Sequence, residues 1–164
     1  MTESLKIGDK APDFSLPASS SATGQATLSL SSFKGRKLVV YFYPKDNTPG
    51  CTTESLEFTA ATKDFDKVNT AIVGVSADSL KKHDNFIAKH QLAMPLISDE
   101  EHVMLNAYGV WVEKSMYGKK FMGIERATYL IDEDGKISAI WRKVKVKGHV
   151  DAVLATVLAD EQGA

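Results

Sequence analysis

The segment LVVYFYPKDNTPGCTTE, residues 38–54, decides the fold and contains the only cysteine of the chain. Its first six residues are continuously apolar and rich in β-branched and aromatic side chains, which predicts a strand buried on both faces. Pro44 ends this strand. Thr48 is a good helix N-cap and Pro49 is favoured at the first helical position, so a helix is predicted from there to Val68. A buried strand that leads through a short loop into a helix is typical of an α/β protein.

The flanking sequence extends this unit into a single predicted α/β domain, residues 1–164, with a mixed sheet. Upstream, residues 14–16 and 27–30 alternate apolar and polar, which predicts an N-terminal hairpin with residues 18–25 as a flexible turn. Downstream, the predicted order is strand 71–76, helix 79–90 capped by Ser79, strand 96–98, short helix 100–108, hairpin strands 127–131 and 136–141, and amphipathic helix 150–158 before a polar tail.

Composition narrows the classes of partner and compartment. The formal net charge of −1 gives no electrostatic reason to expect nucleic acid or an anionic membrane as partner. No apolar run approaches the roughly 20 residues of a transmembrane helix, and Met1–Lys6 lacks the build of a secretory signal peptide. One cysteine excludes an intramolecular disulfide framework and a cysteine-rich zinc site. These features predict a cytoplasmic protein.

Cys51 falls in the first turn of the predicted helix. Backbone N–H groups are unpaired there, and the helix dipole places partial positive charge beside the sulfur. Both effects stabilise the thiolate, which is the nucleophilic form. Gly50 allows another group to approach the backbone closely. From the residues alone a reactive thiol is favoured, and a buried, inert cysteine is the alternative.

Other residues that could bind a metal ion or take part in catalysis give weaker indications of function. Four histidines form no metal-ligand pattern, and His83 and His90, seven apart on one predicted helix, are interpreted as exposed. A cysteine hydrolase with a Cys51–His dyad is the main rival class of enzyme. Asp132–Gly135 resembles the start of a calcium loop but lacks the later glutamate, so it is interpreted as a hairpin turn. Arg142–Lys147 alternates like an exposed strand with inward valines.

The decisive pattern is the spacing Pro-x-x-x-Thr-x-x-Cys formed by Pro44, Thr48 and Cys51. It resembles the active-site signature of peroxiredoxins, and the string YFYPKDNTPGCTTE is similar to the bacterioferritin comigratory protein, or Q-type, subfamily. The resemblance also includes GDKAPDFSLP, VGVSADSLKKHDNFIAKH, ISDEEH and GKKFMGIERATYLIDEDGKI, and is weaker only in residues 18–27 and the last helix. It implies a thioredoxin-like fold: a mixed central sheet flanked by helices, with an N-terminal hairpin.

The resemblance also implies a role for each matching residue. Cys51 matches the peroxidatic cysteine, whose thiolate attacks the O–O bond and becomes a sulfenic acid. Thr48 matches the hydroxyl that hydrogen-bonds the peroxide, and Pro44 the proline that shields the thiolate from solvent. Arg126 matches the distant arginine that stabilises the thiolate and orients the peroxide. Backbone N–H groups of Gly50 and Cys51 are expected to supply further donors.

Two features leave alternatives open. Glu54 either supports the hydrogen bonds of the site, as an acidic or amide residue does at this place in the subfamily, or is a first-turn carboxylate favoured by the helix dipole. An apolar cluster either packs as a surface loop, which we favour, or lines the peroxide pocket or contacts a second chain. That cluster consists of Tyr108, Trp111, Tyr117, Phe121 and Met122.

The chain departs from many relatives because it lacks a second, resolving cysteine. Leu56 and Ile87 stand where those relatives carry it, and we treat the one-cysteine state as native. The sulfenic acid is then reduced by an external thiol, by a Cys51–Cys51 link between chains, or by a second thiol protein directly; the external thiol is the most economical.

The resemblance implies an antioxidant, thiol-dependent peroxidase that reduces hydrogen peroxide and organic hydroperoxides. It implies no metal and no prosthetic group, and a monomer rather than a dimer. The expected reductants are thioredoxin, glutaredoxin or a small thiol such as glutathione. A redox-sensing or chaperone-like binding protein with an oxidisable Cys51 is the alternative.

Overall fold

Strand β3 (Lys37–Phe42) lies near the middle of a seven-stranded mixed sheet, and every one of its residues is buried. It pairs in parallel with β4 (Thr70–Ser76) and antiparallel with β8 (Ala127–Ile131). The strand order is β2-β1-β5-β4-β3-β8-β9. The predicted double burial of this segment and the mixed sheet are both confirmed.

A computed structural model describes residues 5–162. Met1–Ser4 lie outside this range, and so do the last two residues of the predicted polar tail. Met1–Ser4 belong to the stretch that we interpret as lacking a signal peptide. The remaining sheet strands are β1 (Ser15–Ser20), β2 (Gly24–Ser29), β5 (Leu96–Ser98) and β9 (Ile137–Trp141). The helices are α1 (Pro49–Asp66), α2 (Leu80–His90), α3 (Val103–Ala107) and α4 (His149–Gln162), with a 3-10 turn at Leu30–Phe33.

Alternate residues of β3 enter two apolar clusters on opposite faces of the sheet. Val39 and Tyr41 belong to the cluster that contains Cys51 and the apolar sides of α1, α2 and α4. Val40 and Phe42 belong to the other, with side chains from α3 and β8. The cysteine therefore lies on the face covered by three helices, at the end of the sheet where β3 leads into α1.

Several predicted boundaries agree with the structure, and others shift. The helix begins at Pro49 as predicted, and the Ser79 hydroxyl accepts a hydrogen bond from the Lys82 backbone N–H at 3.3 Å. The flexible turn predicted at 18–25 is wrong, because β1 extends to Ser20 through its pairing with β2 and β5, which leaves only residues 21–23 as the turn.

In the second half of the chain, the start of one helix and the end of another differ from the prediction. The short helix begins at Val103 rather than at residue 100, because His102 has a positive φ of 64°. The last helix continues to Gln162, so most of the predicted polar tail is helical.

The apolar cluster favoured as a surface loop belongs largely to a hairpin. Strands β6 (Trp111–Met116) and β7 (Lys119–Ile124) form a separate two-stranded sheet. Its two-residue turn, Tyr117-Gly118, has φ values of 53° and 78°, as a type I′ turn requires. Tyr117 is 97% exposed. The loop prediction is therefore wrong.

The strand predicted at 142–147 is also wrong. Lys143 has a φ of 48°, which breaks an extended chain, and Arg142 instead donates to the Gly109 carbonyl at 2.9 Å. The turn at Asp132–Gly135 is confirmed, because the Asp132 carboxylate accepts the backbone N–H groups of Asp134 and Lys136 at 2.9 Å each. Within residues 5–162, no helix has both the length and the apolar character to cross a membrane.

Candidate active site

Cys51 is the third residue of α1 and is 1% exposed. Thr48 occupies the N-cap position and Pro49 the first helical position, as predicted. The Thr48 hydroxyl does not cap the helix, however. It donates a hydrogen bond to the Lys45 carbonyl at 2.8 Å, so its oxygen can still accept one from a bound molecule.

The first turn of α1 offers backbone donors beside the sulfur. Among the described residues, no acceptor is bonded to the N–H of Gly50 or of Cys51. Unpaired N–H groups at the start of a helix attract an electron-rich atom, and the helix dipole adds to this attraction. The site therefore has two donors available for an oxygen or a thiolate.

Arg126, immediately before β8, also contacts the sulfur. Its Nη2 donates to the Cys51 Sγ at 3.2 Å, and its Nη1 donates to Glu54 Oε1 at 2.6 Å. One planar guanidinium thus joins two electron-rich groups with two separate N–H bonds. From the sequence, Arg126 is assigned to this site only because of the family resemblance. In the structure it contacts Cys51, which lies 75 residues earlier in the chain.

Gly50 makes this approach possible. A Cβ at Gly50 would lie 3.2 Å from the Arg126 Nη2. A larger residue would therefore press directly on the nitrogen that binds the sulfur. The close approach predicted for Gly50 is confirmed, and the approaching group is the guanidinium.

Glu54 is fully buried and is the sixth residue of α1, so the first-turn interpretation is wrong. Burial raises the pKa of Glu54 to about 7, and Arg126 only partly offsets this effect. Its second oxygen, Oε2, is buried without a hydrogen-bond partner. A carboxyl group with this pKa is partly protonated near neutral pH, and it lies beside a guanidinium that also bonds Cys51.

The remaining residues of interest differ in burial. Pro44 is exposed at the start of the loop that leads to Thr48. Leu56 is 41% exposed, whereas Ile87 is buried in the same apolar cluster as Cys51. Neither position supplies a second sulfur, since Cys51 is the only cysteine.

Lys114 on β6 is a neighbour of the site that the sequence did not predict. It lies opposite Phe121 on β7, and its Cδ would be 3.2 Å from a Cβ at Gly123, so its stem lies against β7 on the side that leads to Arg126. Burial and the charge of Arg126 lower the pKa of Lys114, while Cys51 acts in the opposite direction. No sequence signal marked Lys114, because the hairpin itself was not predicted.

The histidines do not act on the sulfur in this structure. Among the described side chains, Arg126 is the one that hydrogen-bonds Cys51, so nothing supports the dyad of a cysteine hydrolase. His149 is hydrogen-bonded to the Thr128 hydroxyl at 2.7 Å, and burial, with Arg126 second, lowers the pKa of His149 to about 4. The exposure predicted for His83 is wrong, because its side chain is completely buried.

His83 forms a cluster with Asp46 and Asp78, in which the potential ligand atoms lie within 4.8 Å of one another. This cluster is closed to a metal ion. The His83 Nδ1 and the Asp46 Oδ2 are 2.7 Å apart, whereas two ligands of a tetrahedral zinc are separated by roughly 3.3 Å. The contact is a hydrogen bond between the side chains.

Comparison with known proteins agrees with this geometry. Residues 7–140 match the model of the AhpC/TSA family. The chain belongs to that family. It is 52% identical over 149 residues to "Peroxiredoxin Bcp" of Xanthomonas campestris, covering 91% of this chain and 92% of that protein.

Solved structures of Xanthomonas campestris proteins superpose closely. A cysteine-to-serine mutant of its peroxiredoxin Q has a TM-score of 0.83 at 49% identity, covering 90% of each chain. A structure described for the alkyl peroxide reduction activity of its bacterioferritin comigratory protein has a TM-score of 0.80 at 52% identity, covering 88% of this chain and 91% of that one. These matches confirm the thioredoxin-like fold and the resemblance to Q-type peroxiredoxins. This peroxiredoxin is thus a thiol-dependent peroxidase with one cysteine.

The Xanthomonas peroxiredoxin Q has been mutated to serine at two cysteines, and these are as far apart in that sequence as Cys51 and Ile87 are here. The equal spacing agrees with the expectation that Cys51 and Ile87 correspond to those two cysteines.

Proposed function

We propose that Cys51 reduces hydrogen peroxide and organic hydroperoxides and that an external thiol completes each cycle. The observation that carries this proposal is the position of the Cys51 sulfur, which lies at the start of α1 and 3.2 Å from the Arg126 Nη2. Electron-rich sulfur in contact with a fixed cation is stabilised as the thiolate, the form that attacks a peroxide.

In the first half-reaction the thiolate attacks one oxygen of the O–O bond. That bond breaks, a sulfenic acid forms on Cys51, and the other oxygen leaves as an alkoxide or hydroxide that takes up a proton. Negative charge grows on both oxygens as this happens. Arg126 and the N–H groups of Gly50 and Cys51 supply donors for that charge, and the Thr48 oxygen accepts the hydrogen bond of the hydroperoxide.

Two other residues support the reacting groups. We assign to Glu54 the task of orienting the guanidinium, because Arg126 Nη1 is bonded to its carboxyl group at 2.6 Å. We assign to Pro44 the task of limiting the access of solvent to the thiolate. Its place at the start of the loop that leads to Thr48 supports this role.

In the second half-reaction a thiol attacks the sulfenic sulfur and releases water, which leaves a mixed disulfide on Cys51. A second thiol then displaces Cys51 and forms the disulfide product. Thioredoxin, glutaredoxin and glutathione have the chemistry needed, and no prosthetic group or metal enters either step. We further propose a cytoplasmic monomer whose residues 1–164 form one domain.

The test is a rapid reaction with one equivalent of hydroperoxide. One thiol per chain should disappear, and dimedone should then label Cys51. A thiol that stays unchanged would overturn the proposal. Steady-state peroxide consumption with glutathione, glutaredoxin and thioredoxin then identifies the reductant, with Cys51→Ser as the inactive control. Oxidation without turnover in all three systems would instead support a redox-sensing protein.

A further inference from the structure

Residues 44–48, the last five of the loop between β3 and α1, form a segment with Pro44 and Thr48 at its two ends. Asp46 in its middle is the one residue of the segment that is buried; the other four are exposed or half-buried. Asn47 follows with a φ of 63°, which reverses the chain direction toward Thr48. Whatever fixes Asp46 therefore fixes the base of this loop.

Asp46 is hydrogen-bonded to three residues: one in its own loop, one in the loop after β4 and one on α2. Its Oδ1 accepts the hydroxyl of Tyr43 at 2.6 Å, and its backbone N–H donates to Asp78 Oδ2 at 2.8 Å. Its Oδ2 lies 2.7 Å from the Nδ1 of His83 on α2. Asp78 in turn accepts the Ser76 hydroxyl at 2.7 Å.

His83 extends this network to the sheet. Its second ring nitrogen, Nε2, lies 2.9 Å from the backbone carbonyl of Ile97 in β5. Both ring nitrogens thus face oxygen atoms, and the carbonyl can only accept. Nε2 must therefore carry a proton and donate it to that carbonyl, while Nδ1 shares a hydrogen bond with the Asp46 carboxyl group.

Burial makes these hydrogen bonds important. Asp46, Asp78 and His83 are all buried, and a buried polar group without a hydrogen-bond partner is costly. Asp84, the next residue on α2, is hydrogen-bonded instead to Ser19 and Gln25.

We propose that His83 is a positioning residue for the peroxide site: it holds Asp46 by a hydrogen bond, and through Asp46 it holds the segment from Pro44 to Thr48 that leads into the Cys51 helix. His83 has no contact with the sulfur. Its effect on the reaction runs through the position of the loop, and the inference rests on the proposed function.

The first test measures the hydrogen bonding of His83 directly. Nitrogen-15 NMR of the reduced, wild-type protein should show a proton on Nε2 that exchanges slowly with solvent. An Nε2 without a proton, or with one that exchanges as fast as in an exposed histidine, would overturn the proposal. This measurement needs no variant and so does not depend on whether a variant folds.

The second test uses His83→Gln, which removes the rigid ring that bonds Asp46 and Ile97 at the same time. We expect the second-order rate constant for Cys51 oxidation by hydroperoxide to fall by about tenfold or more. Reduction of the sulfenic acid by thiol, measured on the same folded sample, should change little, because the loop orients the peroxide. His90→Gln on the same helix is the matched control and should react like the wild type.

Asp46→Asn keeps the hydrogen bonds but removes the carboxyl group. The amide can donate to Nδ1 of His83 while Nε2 still donates to Ile97, so each hydrogen bond survives. The oxidation rate should stay close to that of the wild type, and NMR should still show the proton on Nε2. A loss of rate as large as for His83→Gln would contradict positioning through these bonds.

The outcomes also separate this inference from the proposed function. If wild-type Cys51 does not react with hydroperoxide, the proposed function fails. If the wild type reacts and folded His83→Gln reacts equally fast, only the positioning role fails.

Discussion

The Arg126 guanidinium lies between Cys51 and Glu54, and it bonds the sulfur and the carboxyl group through different nitrogens. This arrangement gives a single cation two partners that compete for its charge. The geometry also explains why a glycine precedes the cysteine, because the guanidinium occupies the space beside Gly50.

The first prediction concerns the two-pronged geometry of Arg126. Arg126→Lys keeps the charge but replaces the planar fork by a point charge, so one ammonium group cannot reproduce both bonds. We expect the rate constant for Cys51 oxidation to fall by about a hundredfold, as when one fixed donor of a reacting oxygen is removed. Stopped-flow mixing with hydroperoxide measures it. Arg142→Lys, remote from the sulfur, is the control, and an unchanged rate in Arg126→Lys would contradict this role.

The second prediction uses the space at Gly50. In Gly50→Ala the new methyl group would lie 3.2 Å from Nη2, so the guanidinium must shift by a few tenths of an ångström from its position beside the sulfur. Alanine favours a helix over glycine by up to about 1 kcal/mol. The variant should therefore be as stable as the wild type or more so in denaturant unfolding, yet slower in Cys51 oxidation. A variant that is both stable and fully active would show that the close contact is unimportant.

The third prediction concerns the pH dependence of stability. The pKa of Glu54 is raised from 4.5 to about 7 by burial, so the folded protein binds this proton more tightly than the unfolded chain. The free energy of unfolding should then fall as pH rises through that interval. Glu54→Gln removes this titration and should flatten the profile between about pH 5 and about pH 8. Urea unfolding across that range, with Glu57→Gln as control, measures the difference. A wild-type profile no steeper than that of Glu54→Gln would contradict the raised pKa.

The fourth prediction concerns the charge of Lys114. Its stem lies along β7 toward Arg126, and within the described residues no carboxylate forms an ion pair with it. A second positive charge at the site should raise the local concentration of anionic thiols. Lys114→Glu should slow reduction of the sulfenic acid by glutathione, with a smaller effect at high salt. Reduction by the neutral thiol 2-mercaptoethanol should not change.

Lys120→Glu on the same hairpin is the matched charge control for Lys114. Lys120 lies opposite Ser115 and is paired with Glu113 at 3.7 Å. It should affect both thiols equally. Equal slowing by Lys114→Glu for charged and neutral thiols would argue for a steric role.

Sequence reasoning succeeded where local chemistry decides the structure. The continuous apolar run of β3 and the Thr48-Pro49 start of α1 are local signals, and both are confirmed. The β6–β7 hairpin escaped prediction because its turn places Tyr117, a bulky aromatic residue, at a positive φ where asparagine or glycine is usual.

The rest of the site depends on contacts between distant parts of the chain. His83 looks like a polar residue on an amphipathic helix, and only the packing of α2 against the 44–48 loop explains its burial. Strands that lie far from Cys51 in sequence bring Arg126 into contact with the sulfur and place Lys114 near enough for Cys51 to affect its pKa. Arg126 could be predicted because the signature around Cys51 resembles that of a family with an arginine in its active site. No comparable pattern in the sequence indicated that Lys114 or His83 belongs near the site.

Ile87 packs in the same apolar cluster as Cys51, where no second thiol is available. The oxidised protein therefore cannot protect its sulfenic acid by forming an internal disulfide. Its sulfenic acid either meets a thiol or meets another peroxide, and the second encounter gives sulfinic acid, which a thiol does not reverse. The ratio of thiol to peroxide around each molecule decides whether it survives a turnover, so bursts of peroxide should inactivate this protein permanently at concentrations that a slow supply would not.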